Sequence, residues 1–143
     1  MSRIENLYGD RIMELAKNPF HFFELKSPSH VFTAYNPLCG DKYTFYLLVE
    51  KGKIVDASFN GYGCALSKAS SSLLVSLLID QELTILANLV NDFLITINTP
   101  SNEKIPEVDY VPFLAVREFP ERIDCVIIGW KELENQLKQN NLL

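Results

Sequence analysis

"DKYTFYLLVEKGKIVDASFNG" (Asp41–Gly61) decides the fold. Tyr43, Phe45, Leu47 and Val49 alternate with Lys42, Thr44, Tyr46 and Glu50. Beyond "KGK", Val55, Ala57 and Phe59 alternate with Ile54, Asp56 and Ser58. Successive strand residues point to opposite faces, so a period of two marks half-buried strands. Two such runs about a glycine turn predict an antiparallel hairpin, one face on a core and the other mixed.

Upstream, Val31–Tyr35 is short and rich in β-branched and aromatic residues, and reads as a further strand. Ile4–Ala16 reads as a first helix, with Ile4, Leu7, Tyr8, Ile12 and Leu15 near one face. Pro19 ends it, and "LKSPSH" is a polar connector. Downstream of Cys64 the period changes. Leu66, Ala69, Leu73 and Leu77 follow helical spacing, as do Ser70, Leu74 and Leu78. A second helix runs from about Glu82 to Phe93; its end is open, because "FLITI" (Phe93–Ile97) is also strand-like. "NTPSNEKIPEVDY" (Asn98–Tyr110) is a proline-containing loop. "VPFLAVREF" makes a short helix before Pro120. "CVIIGWKELENQLKQN" (Cys125–Asn140) makes the last helix, with Val126, Trp130, Leu133 and Leu137 on one stripe and Gly129 as a weak helix former. Helix, strands, then helices predict an α+β fold: a small antiparallel sheet with helices packed on one face. The 143 residues suit one domain spanning 1–143.

Hydrophobic residues make up 48% of the chain, enough for a core without covalent staples. The net charge of −5 leaves no basic stripe for nucleic acid. The N-terminal "MSRIENLYGDRIMELAKNPF" is charged and lacks the apolar core of a signal peptide. "LLVSLLI" (Leu73–Ile79) is too short to span a bilayer. The expectation is a cytoplasmic protein without a membrane or nucleic-acid partner.

Cys39, Cys64 and Cys125 are the only cysteines. An odd, widely spaced set is a poor disulfide framework. They read either as three unrelated buried thiols or as one shared site. Each stands at a joint between elements: Cys39 in "NPLCGD", Cys64 between hairpin and helix, Cys125 at the start of the last helix. Gly61 and Gly63 permit unusual backbone and close approach. Cys64 at a helix N-terminus is favoured as a thiolate, and Cys125 likewise if its helix begins there. Pro37 and Gly40 shape a turn that aims Asp41 to the side of Cys39. Three thiolates and a carboxylate suit zinc, or a labile iron site. With a divalent ion they sum to a charge of −2, which Arg122 is placed to offset. The carboxylate is the harder and therefore the releasable ligand.

Other readings are weaker. No phosphate-binding loop is present. His21 and His30 lie outside the cysteine joints and read as ordinary histidines. Ser67, Ser70, Ser71 and Ser72 have no histidine–acid partner and read as packing or capping residues. Trp130 and the hairpin aromatics read as core.

"NPLCGD" (Asn36–Asp41), "GYGCALSKASSS" (Gly61–Ser72) and "REFPERIDC" (Arg117–Cys125) occur in the order seen in iron–sulfur cluster scaffold proteins of the IscU/NifU N-terminal type. The resemblance runs from about Ile4 to Leu137. The long segment between the second and third cysteines and the "REFPERIDC…W" ending are similar to the SufU branch. In the IscU branch a histidine precedes the third cysteine within a proline-rich chaperone-recognition stretch; here Asp124 stands there. SufU proteins usually carry a His-x-x-Pro-Arg-Asn-type segment before the first cysteine; here "FFELKSPSH" (Phe22–His30) occupies that region.

The resemblance implies a three-stranded antiparallel sheet with several helices. It implies zinc held by Cys39, Asp41, Cys64 and Cys125. It implies sulfur transfer from a SufS-like cysteine desulfurase, with Cys125 as the acceptor, and onward delivery to apo-proteins or other Suf components. On this reading the chain is sulfurtransferase-like and acts with the desulfurase rather than alone. The other role in the wider family is an IscU-like scaffold that assembles a transient [2Fe–2S] cluster on the same cysteines, without zinc-dependent transfer.

Overall fold

The structure is a computed structural model that describes residues 9–99 and 108–139. The chain begins with α1 (Asp10–Lys17), then β1 (His30–Asn36), β2 (Asp41–Glu50) and β3 (Lys53–Tyr62). Three helices follow, α2 (Ala65–Leu78), α3 (Leu83–Asn98) and α4 (Pro120–Lys138), with 3-10 turns over Val108–Glu118 before α4. The sheet is antiparallel in the order β1-β2-β3. The α+β reading holds, with the predicted hairpin as β2–β3 and the weaker strand as β1. Of the predicted first helix, Asp10 onward is helical, and Ile4–Tyr8 lie outside the described residues.

The inner face of the sheet carries a cross-strand aromatic ladder. Phe32, Phe45 and Phe59 are register partners, and their rings stack at centroid distances of 5.1 and 5.8 Å. All three are buried, and each such burial stabilises the fold by about 1.5–3 kcal/mol. The alternation of β3 breaks at one point. A register shift between Leu48 and Val49 pairs Val49 with Ile54. The bulge keeps Ile54 on the core side, fully buried, and turns Val55 outward. Val55, expected on the core face, is therefore exposed.

On the outer face, the segment after α1 crosses from β3 to the start of β1. Phe22 bridges Phe59, Tyr46 donates to Glu24 Oε1 at 3.5 Å, and Ser29 N–H donates to Leu47 O at 2.8 Å. Tyr46 is thereby covered on the solvent side of the sheet.

α2 is buried nearly all round and is the central helix. Its serines serve packing. Ser72 Oγ accepts from Phe20 N–H at 2.7 Å, and Ser70 Oγ donates to Val126 O on α4. Trp130 is fully buried, stacks on Phe93 at 3.8 Å and donates to Ser70 Oγ at 3.0 Å. It is a core residue, as expected. Gly129 lets α4 lie against the sheet, since a Cβ there would come within 2.6 Å of Phe45 Cζ.

α3 continues through "FLITI". Phe93, Leu94 and Ile97 are buried with Leu86 and Val90, a helical spacing that places them on one face. Tertiary burial overrides the strand preference of Ile95, Thr96 and Ile97. "VPFLAVREF" forms 3-10 turns rather than an α-helix, with Pro112 inside the run. Pro120 opens α4 at its first turn, so Cys125 lies in the second turn of the helix rather than at its start. Among the described residues no helix is long and apolar enough to cross a membrane.

Candidate metal centre

The hairpin turn between β1 and β2 presents Cys39. Asn36 Oδ1 accepts from Leu38 N–H at 3.1 Å, and Asn36 O accepts from Gly40 N–H at 2.8 Å. Gly40 adopts φ +77°, which favours glycine. This tight turn leaves Cys39 exposed and starts β2 at Asp41, whose side chain points inward and is buried.

Cys64 lies at the β3–α2 joint. It caps α2, and its Sγ accepts from Ser67 N–H at 3.4 Å. The two glycines before it serve different purposes. Gly61 has φ +135°, and a Cβ there would collide with Lys42 O. Gly63 is needed for space: a Cβ would lie 2.5 Å from both Ser67 Oγ and Tyr43 Oη, and 2.6 Å from Asp41 Oδ1. The joint thus sits directly on Asp41, and Cys64 N–H donates to Asp41 Oδ1 at 3.0 Å.

Cys125 comes from α4 and is fully buried. Its Sγ is 3.6 Å from Cys39 Sγ. Ligand atoms of Cys39, Asp41 and Cys125 all lie within 4.8 Å of one another. Cys64 Sγ is not one of them; Cys64 adjoins the set through its backbone N–H on Asp41. The structure therefore brings Cys39, Asp41 and Cys125 together and places Cys64 beside them at the β3–α2 joint. Neither His21 nor His30 belongs to the group. His21 Nδ1 is 3.0 Å from Ala57 O, and His30 Nδ1 is 3.0 Å from Ser29 Oγ. Arg122 is exposed, one turn before Cys125. Asp124 lines a cleft of about 330 Å³ between β1 and α4, with Tyr35, Asn36 and Lys131.

The electrostatics separate two of the thiols. The hydrogen bond from Cys125 and those from Ser67 pull Cys64 down to about 6, against the effect of burial. Cys125 is pushed up, first by its hydrogen bond to Cys64, then by burial and by the Cys64 charge. The helix-start argument thus holds for Cys64. It fails for Cys125, which lies a turn beyond the free N–H groups that would favour a thiolate.

The donor set fits a metal ion. Asp41 Oδ2 is buried with no hydrogen-bond partner, a costly arrangement unless something binds that oxygen. Sulfur and carboxylate donors suit zinc or iron. Two residues read as core or packing from the sequence also reach the site. Tyr43 Oη and Ser67 Oγ are 2.9 Å apart beneath Gly63. Their positions, two residues after Asp41 and three after Cys64, were the only hint.

Known proteins are similar to this chain over most of its length. The iron–sulfur cluster assembly scaffold protein IscU of Streptococcus pyogenes serotype M1 is 28% identical over 98% of this chain and 88% of its own length. The zinc-dependent sulfurtransferase SufU of Bacillus subtilis is 28% identical over 93% of this chain and 90% of its own. The crystal structure of a NifU-like protein N-terminal domain from Brucella abortus superposes with a TM-score of 0.84 at 27% identity, covering 96% of each chain. A family model described as the NifU-like N terminal domain matches residues 7–140. Matched by that model over most of its length, the chain belongs to the NifU-like N-terminal domain family.

Proposed function

We infer that the protein is an iron–sulfur cluster assembly scaffold of the IscU/SufU type. The convergence of Cys39, Asp41 and Cys125 within 4.8 Å, with Cys64 beside them, carries this reading. Relatives named as scaffold and as sulfurtransferase support it.

Within that class the reading is SufU-like. Cys39, Asp41, Cys64 and Cys125 would hold zinc in the resting state, and the ion would keep the thiols deprotonated at neutral pH. The partner is a SufS-like cysteine desulfurase that carries a persulfide. In the transfer step a thiolate of this chain attacks the outer persulfide sulfur. A new S–S bond forms, the S–S bond on the desulfurase breaks, and its cysteine leaves as thiolate. Cys125 is the acceptor. Its burial keeps the new persulfide from water, and Cys39, exposed 3.6 Å away, lies on the route in. Asp41 would be the releasable ligand, since the Cys64 N–H holds its Oδ1 whether or not Oδ2 has a partner. The product passes to apo-proteins or other Suf components in the cytoplasm.

The IscU-like alternative keeps the same four residues and takes a transient [2Fe–2S] cluster as cargo, without zinc-dependent transfer. Several relatives named IscU favour it. Metal analysis of the purified protein separates the two. Stoichiometric zinc supports the SufU-like reading, and iron with sulfide supports the scaffold alternative. Mass spectrometry after incubation with desulfurase and cysteine tests the acceptor; sulfur on Cys39 or Cys64 and never on Cys125 overturns it.

A further inference from the structure

The period of β2 makes Tyr43 a core residue, and its ring does lie in the core, 5.9 Å from the Phe59 ring. Its hydroxyl goes elsewhere. Tyr43 Oη is 2.9 Å from Ser67 Oγ, and both side chains are fully buried. Ser67 in turn surrounds Cys64. Its N–H donates to Cys64 Sγ at 3.4 Å, its hydroxyl donates to Cys64 O at 3.1 Å, and its Oγ lies 3.6 Å from the same sulfur. Gly63 fits closely over this group, since a Cβ there would lie 2.5 Å from both hydroxyl oxygens.

A serine hydroxyl has one proton and two lone pairs. With Tyr43 as donor, one lone pair of Ser67 is filled and its proton is kept for Cys64. While Cys64 is a thiol, its S–H takes the other lone pair, and the Ser67 proton rests on the Cys64 carbonyl. When the sulfur is anionic that S–H is gone. Rotation about the Ser67 Cβ–Oγ bond then brings the hydroxyl proton onto the sulfur, which accepts from both the N–H and the O–H of one residue.

We propose that Tyr43 and Ser67 are positioning residues for Cys64: Tyr43 orients the Ser67 hydroxyl as a donor to the anionic sulfur, fixing its direction and drawing charge from it. This rests on the reading of Cys64 as a ligand. Hydrogen bonds to a ligating sulfur reduce the electron density it gives to a metal. Cys64 therefore binds more weakly than a thiolate without such donors.

The test uses the full chain as wild type, Y43F, S67A and S67T. In the cobalt(II)-loaded proteins, the sulfur-to-cobalt charge-transfer band moves to longer wavelength in S67A, and less far in Y43F. It stays in place in S67T, which keeps the hydroxyl. A second measurement needs no metal. Iodoacetamide labelling of the metal-free chain at a pH high enough to ionise the thiols in every variant, resolved by peptide mass spectrometry, quickens at Cys64 in S67A and Y43F, whose sulfur keeps more charge, and is unchanged at Cys39. Thermal unfolding checks that each variant is folded; if Y43F is not, S67A against S67T decides. Superimposable bands and equal Cys64 labelling rates in all four proteins overturn the proposal. A wild type without a thiolate–cobalt band defeats the metal-site reading instead, and the labelling rates alone then decide the role of Tyr43 and Ser67.

Discussion

The backbone N–H of Cys64 donates to Asp41 Oδ1 at 3.0 Å while Asp41 Oδ2 is buried and unpartnered. One oxygen of the carboxylate is thus anchored to the β3–α2 joint, and the other is left for a ligand. The two oxygens make separable predictions. Asp41→Ala removes both and prolongs the lifetime of a reconstituted cluster, because the releasable ligand is gone. Asp41→Asn keeps an oxygen to accept from Cys64 N–H and loses the charge. It retains the Cys64 joint and still lowers zinc affinity. Zinc competition with a chromophoric chelator and the decay of cluster absorbance read the two effects; unchanged cluster lifetime in both variants removes Asp41 from the site.

Gly63→Ala and Gly129→Ala separate site from fold. At Gly63 the new Cβ meets Asp41, Tyr43 and Ser67, all around the candidate metal centre. At Gly129 it meets Phe45 and Leu74 in the core. Overpacking of this kind costs about 1–3 kcal/mol. Gly129→Ala should lower the midpoint of urea unfolding and leave zinc stoichiometry intact in the folded protein. Gly63→Ala should lose zinc at a denaturant concentration where the fold persists.

The Trp130 side chain supports α4, which carries Cys125. Trp130→Phe keeps a ring against Phe93 and loses the donor to Ser70 Oγ, a loss of about 1 kcal/mol. Trp130→Ala removes the ring from a fully buried place and costs about 3–5 kcal/mol. Denaturant unfolding measures both, and a smaller loss for the alanine variant than for phenylalanine contradicts the packing described.

Removing the metal should expose a redox liability. Cys39 Sγ and Cys125 Sγ are 3.6 Å apart, and Cys39 is exposed. In the metal-free chain, diamide should oxidise this pair to a disulfide, taking two electrons and two protons from the thiols. Peptide mapping should find a Cys39–Cys125 crosslink that zinc prevents and Cys39→Ser abolishes. A crosslink confined to Cys64 would contradict the geometry.

The hairpin was legible because Tyr43, Phe45 and Leu47 on one strand and Ala57 and Phe59 on the other record one buried face at a period of two. The bulge at Leu48/Val49 was not, since a register shift depends on what each strand meets across the sheet. "FLITI" was ambiguous by propensity, and packing of Phe93, Leu94 and Ile97 into the core made it helical. The last helix starts at Pro120 rather than Cys125, because proline fits a first helical turn and the apolar stripe from Val126 begins only a turn later.

At the site, residue types alone supplied the list. Three cysteines read at or near joints, an aspartate beside one of them and glycines beside another, left two readings open, three unrelated thiols or one shared metal site, and the family resemblance favoured the second. Residue types cannot say which sulfurs touch, which thiol is acidic, or what lies beneath. Those depend on distances between β2, α2 and α4, elements far apart in the chain. Tertiary packing alone put Cys125 against Cys39, seated the Cys64 joint on Asp41, and brought Tyr43 to Ser67. Donor identity is a property of each residue, whereas hydrogen bonding and burial arise only when separate elements share one space.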